Sequence, residues 1–205
     1  MNTQDTYKTI TENTKEVLFK EKNSKFFGYG FAVQNEEQVK MYLEQLRKIH
    51  FSARHHCYAY QIGTEQIQYR ANDDGEPNGT AGLPIYGQIQ SFEVTNILIV
   101  VVRYFGGTKL GVSGLITAYR ETAKMVLEEA EIVEKTIDLE LELRFDYALV
   151  NKVMRIVKEK NLQVTQMEMS LDCYLKLHIR KNDFNTIYTI FENIHGVQIT
   201  TDYDK

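Results

Sequence analysis

The fold of this chain is decided by the stretch Asp73-Asp-Gly-Glu-Pro-Asn-Gly-Thr-Ala-Gly-Leu-Pro84 and by Asn96-Ile-Leu-Ile-Val-Val-Val-Arg-Tyr-Phe-Gly-Gly-Thr-Lys-Leu-Gly-Val-Ser-Gly114, which follows it. Both prolines and eight of the twelve glycines lie between residues 73 and 114. Glycine is used where the backbone needs a positive φ or where another group must approach closely. The β-branched run at 97–102 is typical of a strand buried on both faces of a sheet. The sequence therefore predicts a central strand that ends in a glycine-rich turn.

Strand-like and helical patterns surround this segment. Upstream they predict a hairpin, a helix, two more strands and a short helix, at residues 17–20, 26–33, 35–50, 56–62, 66–70 and 80–89. Asn35 is the expected N-cap of the first helix, and Gln38 completes a capping-box pattern. Downstream of the glycine turn, one apolar helix face comprises Val112, Leu115, Ile116, Tyr119, Ala123, Val126, Leu127 and Ala130. This helix is expected to pack onto the sheet.

The pattern changes after residue 131, because apolar and polar residues alternate strictly from Ile137 to Phe145. Such alternation predicts a half-exposed strand. The remaining elements are predicted as a helix, two strands, a helix and a strand, at residues 150–157, 162–167, 171–179, 184–194 and 197–201. The order βαββαβ is that of the ferredoxin-like fold. We therefore predict an α+β chain with two domains, residues 1–135 and residues 136–205.

Composition excludes several classes of protein. The 24 basic and 28 acidic residues give a net charge of -4, which argues against nucleic-acid binding driven by bulk charge and leaves a local basic face open. No apolar run approaches the roughly 18 residues of a membrane span, and the first residues lack the apolar core of a secretion signal. Cys57 and Cys173 lack the spacing of a zinc site or a disulfide framework. We expect a cytoplasmic protein with buried thiols, no metal, no cofactor, no membrane contact and no disulfide-linked partner.

The glycine turn, from Gly106 to Gly111, joins a buried strand to a helix N-terminus. Free backbone amides and the helix dipole at such an end favour an anion such as phosphate. The turn does not match a phosphate-binding loop, because Val112-Ser113 stands where Lys-Ser/Thr is required, and it also misses the dinucleotide fingerprint. One interpretation is a tight connection whose glycines permit close packing. The other is a phosphate or nucleic-acid site formed by Arg103, Gly106, Gly107, Lys109, Gly111, Ser113 and Gly114.

A polar stripe continues along the following helix. Ser113, Thr117, Arg120 and Lys124 recur at spacings of four, three and four residues, opposite the apolar face. Such a stripe extends a phosphate contact begun at Lys109, or it is merely solvated. Arg120 and Lys124 are therefore added to the predicted binding residues.

Acidic residues and histidines elsewhere raise a metal or acid/base hypothesis. His55 and His56 point to opposite faces if they share one strand, so they cannot both bind one ion. In the alternative interpretation, Asp74-Gly75 forms a turn and the nearby carboxylates bind backbone amides. No metal site is predicted, and nucleophile motifs are missing because Cys57 is only adjacent in sequence to a histidine. The catalytic candidates are His56, Asp73 and Asp74.

Four motifs resemble the YigZ/IMPACT family over roughly residues 15–130. They are Ser24-Lys-Phe26, Ala53-Arg-His-His-Cys-Tyr-Ala-Tyr60, the 73–84 stretch, and Val101-Val-Arg-Tyr-Phe-Gly-Gly-Thr-Lys-Leu-Gly-Val-Ser-Gly-Leu115. Beside the residues of the glycine turn, the matching signature comprises His55, His56, Asp73, Asp74, Gly75, Glu76, Pro77, Gly79, Thr80, Gly82, Tyr104 and Phe105. The resemblance assigns no reaction to these residues.

The resemblance implies a first domain with the ribosomal protein S5 domain 2-like fold, which a late domain of elongation factor G shares. It also implies a second, ferredoxin-like domain similar to domain V of that factor. Contact with the ribosome or with structured RNA is the functional expectation. Eukaryotic IMPACT relatives act in translational control by binding a large regulator of a stress kinase, through a region absent from residues 1–205, so that partner is not transferred.

The leading functional hypothesis is a non-enzymatic accessory protein that contacts RNA or the ribosome, with a role in translational regulation. Its predicted face is built by Arg103, Lys109, Arg120 and Lys124. A second hypothesis is an enzyme or binding protein for a phosphate-bearing small molecule, held by the glycine turn. A third is a protein-interaction module that binds a protein partner through the ferredoxin-like sheet.

Overall fold

The computed structural model of the chain describes residues 5–201. The strands are β1 (Thr6–Ile10), β2 (Val17–Glu21), β3 (Ser24–Ala32), β4 (His55–Ile62), β5 (Gln68–Asn72), β6 (Ile97–Tyr104), β7 (Ile132–Thr136), β8 (Asp138–Asp146), β9 (Gln163–Glu168), β10 (Asp172–Arg180) and β11 (Val197–Thr201). The helices are α1 (Glu36–Ile49), α2 (Gly82–Ser91), α3 (Gly111–Glu129), α4 (Val150–Glu159) and α5 (Lys181–Glu192). The predicted α+β class is confirmed.

Residues Tyr7–Lys135 form one compact unit around a five-stranded sheet of order β2-β3-β6-β4-β5. All neighbouring strands in this sheet are antiparallel. The central strand β6 is buried on both faces, as its β-branched run predicts. Its odd-numbered residues from Ile97 to Val101 share a core with α2 and α3, whereas its even-numbered residues from Leu98 to Val102 share a core with α1.

Local signals place α1 correctly. The Gln38 amide donates to the Asn35 side-chain oxygen at 2.9 Å, so the predicted N-cap is confirmed. The Gln38 side-chain oxygen accepts from the Gln34 amide at 2.7 Å. The helix ends at the predicted position, where the His50 amide donates to the Leu46 carbonyl at 2.8 Å.

Some expectations need correction. Val112, which was assigned to the apolar face of α3, is 59% exposed because it lies in the first turn, beside the exposed Gly111 and Ser113. The fifth strand and the second helix each begin two residues later than predicted. The two-stranded sheet of β1 and β7 was not predicted at all, because neither five-residue segment alternates between polar and apolar residues.

Residues 136–201, with residues 5–6, form the second compact unit. Its antiparallel sheet has the order β11-β8-β10-β9, and the chain runs β8-α4-β9-β10-α5-β11, which is the predicted βαββαβ order. Alternate residues of β8 and β10, such as Leu143 and Leu175, pack with α4 and α5 in its core. No helix among residues 5–201 is both long and apolar enough to cross a membrane.

Candidate functional site

The Asp73 carboxylate organises the loop from Asp73 to Gly82, which we call the signature loop. It accepts backbone N–H groups from Gly79 at 2.8 Å, Ala81 at 2.9 Å and Gly82 at 2.8 Å. Because the last two amides lie at the start of α2, Asp73 caps this helix from outside it and satisfies donors that have no partner within the helix. The delayed start of α2 follows from this arrangement.

We expect Asp73→Ala to lower the free energy of unfolding by about 2 kcal/mol, because two of the three released amides belong to buried residues. Urea denaturation measures this loss. Asn78→Ala is the matched control, since Asn78 is an exposed residue of the same loop and is expected to change stability by less than about 0.5 kcal/mol. Equal losses in the two variants would show that the carboxylate does not organise the loop.

A buried ion pair joins the signature loop to the central strand. One Glu76 oxygen accepts from Arg103 Nη1 at 2.6 Å and from the Tyr119 hydroxyl at 2.8 Å. The side chains of Glu76 and Arg103 are 4% and 7% exposed. The Arg103 charge is therefore balanced inside the protein. The prediction that Arg103 lies on an exposed basic face is wrong.

Cys57 extends this network. Its thiol lies 2.9 Å from the Asp73 carbonyl and 3.3 Å from the Tyr119 hydroxyl. Burial raises the pKa of Cys57, and burial likewise raises the pKa of Tyr119, so both groups stay protonated at neutral pH. Cys57 is a buried thiol, as its sequence context predicts.

The neighbouring residues His55 and His56 both form hydrogen bonds with the signature loop. Because β4 begins at His55, the two side chains point to opposite faces of the sheet. His55 Nδ1 donates to the Asp74 carbonyl at 2.9 Å, and the Asp74 carboxylate accepts the His56 amide at 2.7 Å. His56 is 5% exposed, and burial lowers its pKa although Asp74 opposes that effect.

The three catalytic candidates therefore have structural partners. Asp73 and Asp74 accept backbone amides, and the buried His56 is kept neutral by its surroundings. Within the described residues, no group of three or more His, Cys, Asp or Glu side chains is placed to hold a metal ion. This arrangement gives no support to acid/base chemistry at these residues.

The glycine turn combines close packing with an open helix end. Gly106 lies directly against residues 23–24, and its amide donates to the Ser24 hydroxyl at 3.1 Å. Gly107 and Gly111 have φ values of 86° and 74°, which favour glycine. The N-cap residue of α3 is Leu110, which provides no side-chain acceptor, and the first turn has no acidic residue. Within residues 5–201, the first amides of α3 therefore receive no side-chain cap from the N-cap residue.

The predicted polar stripe is exposed to solvent. Ser113, Thr117, Arg120 and Lys124 are all exposed on α3, and Lys109 is exposed just before it. Lys124 lies 3.6 Å from Glu128, a surface pair. Lys109 and Arg120 form no ion pair within residues 5–201. Of the four residues of the predicted basic face, Arg103 is buried and the other three are exposed. We call Lys109, Arg120 and Lys124 the exposed basic set.

Two pockets lie on either side of Tyr104 and Phe105, at the end of β6. The first has a volume of about 410 Å³ and is lined by Arg54, His55 and Arg103 among others. The second has a volume of about 350 Å³, and its lining includes Asn23, Lys25, Phe27 and His50. Tyr104 and Phe105 line both pockets. We name this region the aromatic site.

Sequence reasoning missed the cations of the aromatic site. Lys25 and Arg54 stand inside the family motifs at 24–26 and 53–60, which was the only available signal. Their proximity to Phe105 depends on strand pairing, since Lys25 pairs with Tyr104 and His55 pairs with Arg103. One sequence does not reveal that register.

A hydrogen-bonded chain fixes Tyr104. His50 Nδ1 lies 3.0 Å from the Tyr104 hydroxyl, and His50 Nε2 lies 2.6 Å from the Tyr29 hydroxyl. Tyr29 donates to the Glu16 carboxylate, so the neutral ring donates through Nε2 and accepts from Tyr104 through Nδ1. Burial lowers the pKa of His50, which favours this neutral form. The chain holds one wall of the aromatic site in place.

The antiparallel sheet with its glycine turn, followed along the chain by a βαββαβ unit, defines a class of two-unit α+β proteins. The model of the Impact N-terminal domain matches residues 22–127. The IMPACT family member YvyE of Bacillus subtilis is 30% identical over 87% of this chain and 82% of its own length. A Haemophilus influenzae IMPACT family member is 34% identical over 80% of this chain and 81% of its own length. The chain therefore belongs to the IMPACT family.

Further relatives agree with this assignment. Escherichia coli YigZ, another IMPACT family member, is 38% identical over 62% of this chain and 63% of its own length. A solved structure described as that of a hypothetical protein superposes with a TM-score of 0.71 at 26% identity. That superposition covers 96% of this chain and 97% of the other. The likeness thus extends through both compact units.

Proposed function

We propose that this chain is an accessory protein that contacts RNA or the ribosome and acts in translation-related regulation. The observation that carries the proposal is the exposed basic set of Lys109, Arg120 and Lys124 beside the uncapped N-terminus of α3. The family resemblance to proteins of translational control supports the same assignment.

The geometry of α3 suits a phosphate backbone. Ser113, Thr117, Arg120 and Lys124 lie within one face of the helix, because spacings of four, three and four residues return to nearly the same angle. From Ser113 to Lys124 the face is about 16 Å long, at 1.5 Å per residue. Amides at a helix N-terminus attract anions, and Lys109 adds a charge there. Contacts of this kind bind phosphates without reading sequence.

The small-molecule hypothesis receives less support, because it does not account for the exposed cations farther along α3. Its enzyme form needs His56, Asp73 or Asp74 as acid/base groups, and the two aspartates accept backbone amides while His56 is buried. Its binding-protein form would use the same glycine turn without these groups. The net charge of -4 is consistent with a local contact, because the rest of the surface does not attract nucleic acid.

The test compares two double variants in binding to a fluorescently labelled single-stranded RNA at 0.1 M salt. We expect Lys109→Ala with Arg120→Ala to weaken binding about tenfold, because two phosphate contacts and their counterion release are lost. Lys40→Ala with Lys48→Ala is the matched control, since these exposed lysines lie on α1, across the sheet from α3. Equal affinity of both variants would overturn the proposal.

A further inference from the structure

We infer that the aromatic site binds single-stranded RNA, with a base against Phe105 and neighbouring phosphates on Lys25 and Arg54. The inference rests on the proposed function and specifies which form of RNA is bound and where. It concerns residues separate from the exposed basic set of α3.

Phe105 is exposed and yet held in place. The residue is 58% exposed, and the Arg103 guanidinium carbon lies 5.7 Å from its ring centroid. Arg103 is itself fixed by Glu76 at 2.6 Å. An aromatic ring presented in this way loses little conformational freedom when a base stacks on it. Stacking on aromatic side chains is the general means by which proteins bind unpaired bases.

Two unpaired cations flank this ring. Lys25 lines one pocket and Arg54 the other, and in the part of the chain that the structure describes neither forms an ion pair. Lys25 stands on β3 and Arg54 directly precedes β4, and both strands pair with β6. Since neighbouring strands lie about 4.8 Å apart, β3 and β4 are separated by about 10 Å, with the aromatic pair between them. A base with a phosphate on each side matches this arrangement of an aromatic ring between two cations.

The first pocket also offers hydrogen-bonding groups. His55 Nδ1 donates to the Asp74 carbonyl, which leaves Nε2 as the second hydrogen-bonding nitrogen of the ring. Arg103 lines the same pocket, and its Nε has no hydrogen-bond partner within residues 5–201. A buried donor without a partner costs free energy, and a ligand acceptor that reaches this wall would remove that cost. The volumes of about 410 and 350 Å³ are within the range of small-ligand sites.

The chemistry favours RNA over a protein occupant. A cation stands on each side of one exposed ring, and a nucleic-acid strand carries a phosphate on each side of every base, whereas a protein occupant would have to supply two carboxylates at this spacing. Because a double helix keeps its bases stacked on one another, only an unpaired base is available for the ring. The site therefore predicts a preference for single-stranded over duplex RNA.

The experiment measures binding of a labelled single-stranded RNA and of a hairpin duplex to the full chain. We expect Phe105→Ala to weaken single-strand binding at least about fivefold, the lower limit for loss of one stacked base, and to leave duplex binding unchanged. Phe105→Trp should restore the single-strand affinity because it restores a stacking surface. Phe51→Ala is the matched control, since Phe51 is 85% exposed and lines neither pocket.

The outcomes separate this inference from the proposed function. If Lys109→Ala with Arg120→Ala weakens RNA binding while Phe105→Ala binds like the unchanged chain, the aromatic site is not the RNA site and the proposed function stands. If the unchanged chain binds neither RNA, both are overturned, and a protein partner becomes the alternative for this surface. Melting temperatures of all variants show whether a loss arises from unfolding.

Discussion

We expect Glu76→Gln to lower the free energy of unfolding by about 3–5 kcal/mol, because it leaves the buried Arg103 charge without a counterion. The pair is 2.6 Å long, with side chains 4% and 7% exposed. The same Glu76 oxygen accepts the Tyr119 hydroxyl, so a second hydrogen bond weakens when the carboxylate becomes an amide. Urea denaturation followed by circular dichroism gives the change in stability.

The matched control for this prediction is Glu128→Gln. Glu128 also pairs with a cation, Lys124, but at 3.6 Å and with both side chains about half exposed. Water screens such a pair, so its loss is expected to cost less than about 1 kcal/mol. Similar losses in Glu76→Gln and Glu128→Gln would show that burial of the Arg103 pair is not what makes it important.

The second large effect is expected for Gly106→Ala, which should cost about 3 kcal/mol. A Cβ atom at this position would lie 2.0 Å from the Asn23 carbonyl carbon and 2.2 Å from the Ser24 nitrogen. These are backbone atoms, which cannot rotate away as a side chain does. The glycine turn or the β2–β3 connection must then shift, as in other overpacked sites.

Gly87→Ala provides the opposite expectation for the same substitution. Nothing lies within 4 Å of a Cβ built at Gly87, which is inside α2. Alanine is the better helix former, so this variant should gain about 0.5–1 kcal/mol. A loss in Gly106→Ala no larger than about 0.5 kcal/mol would contradict the close packing of the glycine turn.

Short-range signals made most of the fold predictable. The β-branched run predicted the central strand β6, and helical spacing predicted α3. Asn35 and Gln38 identified the start of α1, because a capping box is read within four residues. The elements β1 and β7 were missed because their patterns resemble neither a half-buried strand nor a buried one.

Long-range pairing limited what could be predicted of the site. Arg103 was placed on an exposed basic face, yet it pairs with Glu76, 27 residues away in the sequence, and is buried. The composition of the glycine turn does not indicate this partner. The aromatic site depends in the same way on the register that sets Lys25 opposite Tyr104. Such pairs depend on how strands align, which periodicity within one strand does not reveal.

The most direct measurement of RNA contact is the affinity of the unchanged chain for single-stranded RNA as a function of salt concentration. Three contacts from the basic set of α3, and up to five with Lys25 and Arg54, predict a slope of log affinity against log salt between about -2 and -3.5, at about 0.7 per phosphate contact. Lys109→Ala with Arg120→Ala should make this slope shallower by about 1.4. An affinity independent of salt, or no detectable binding at low salt, would contradict the proposed function.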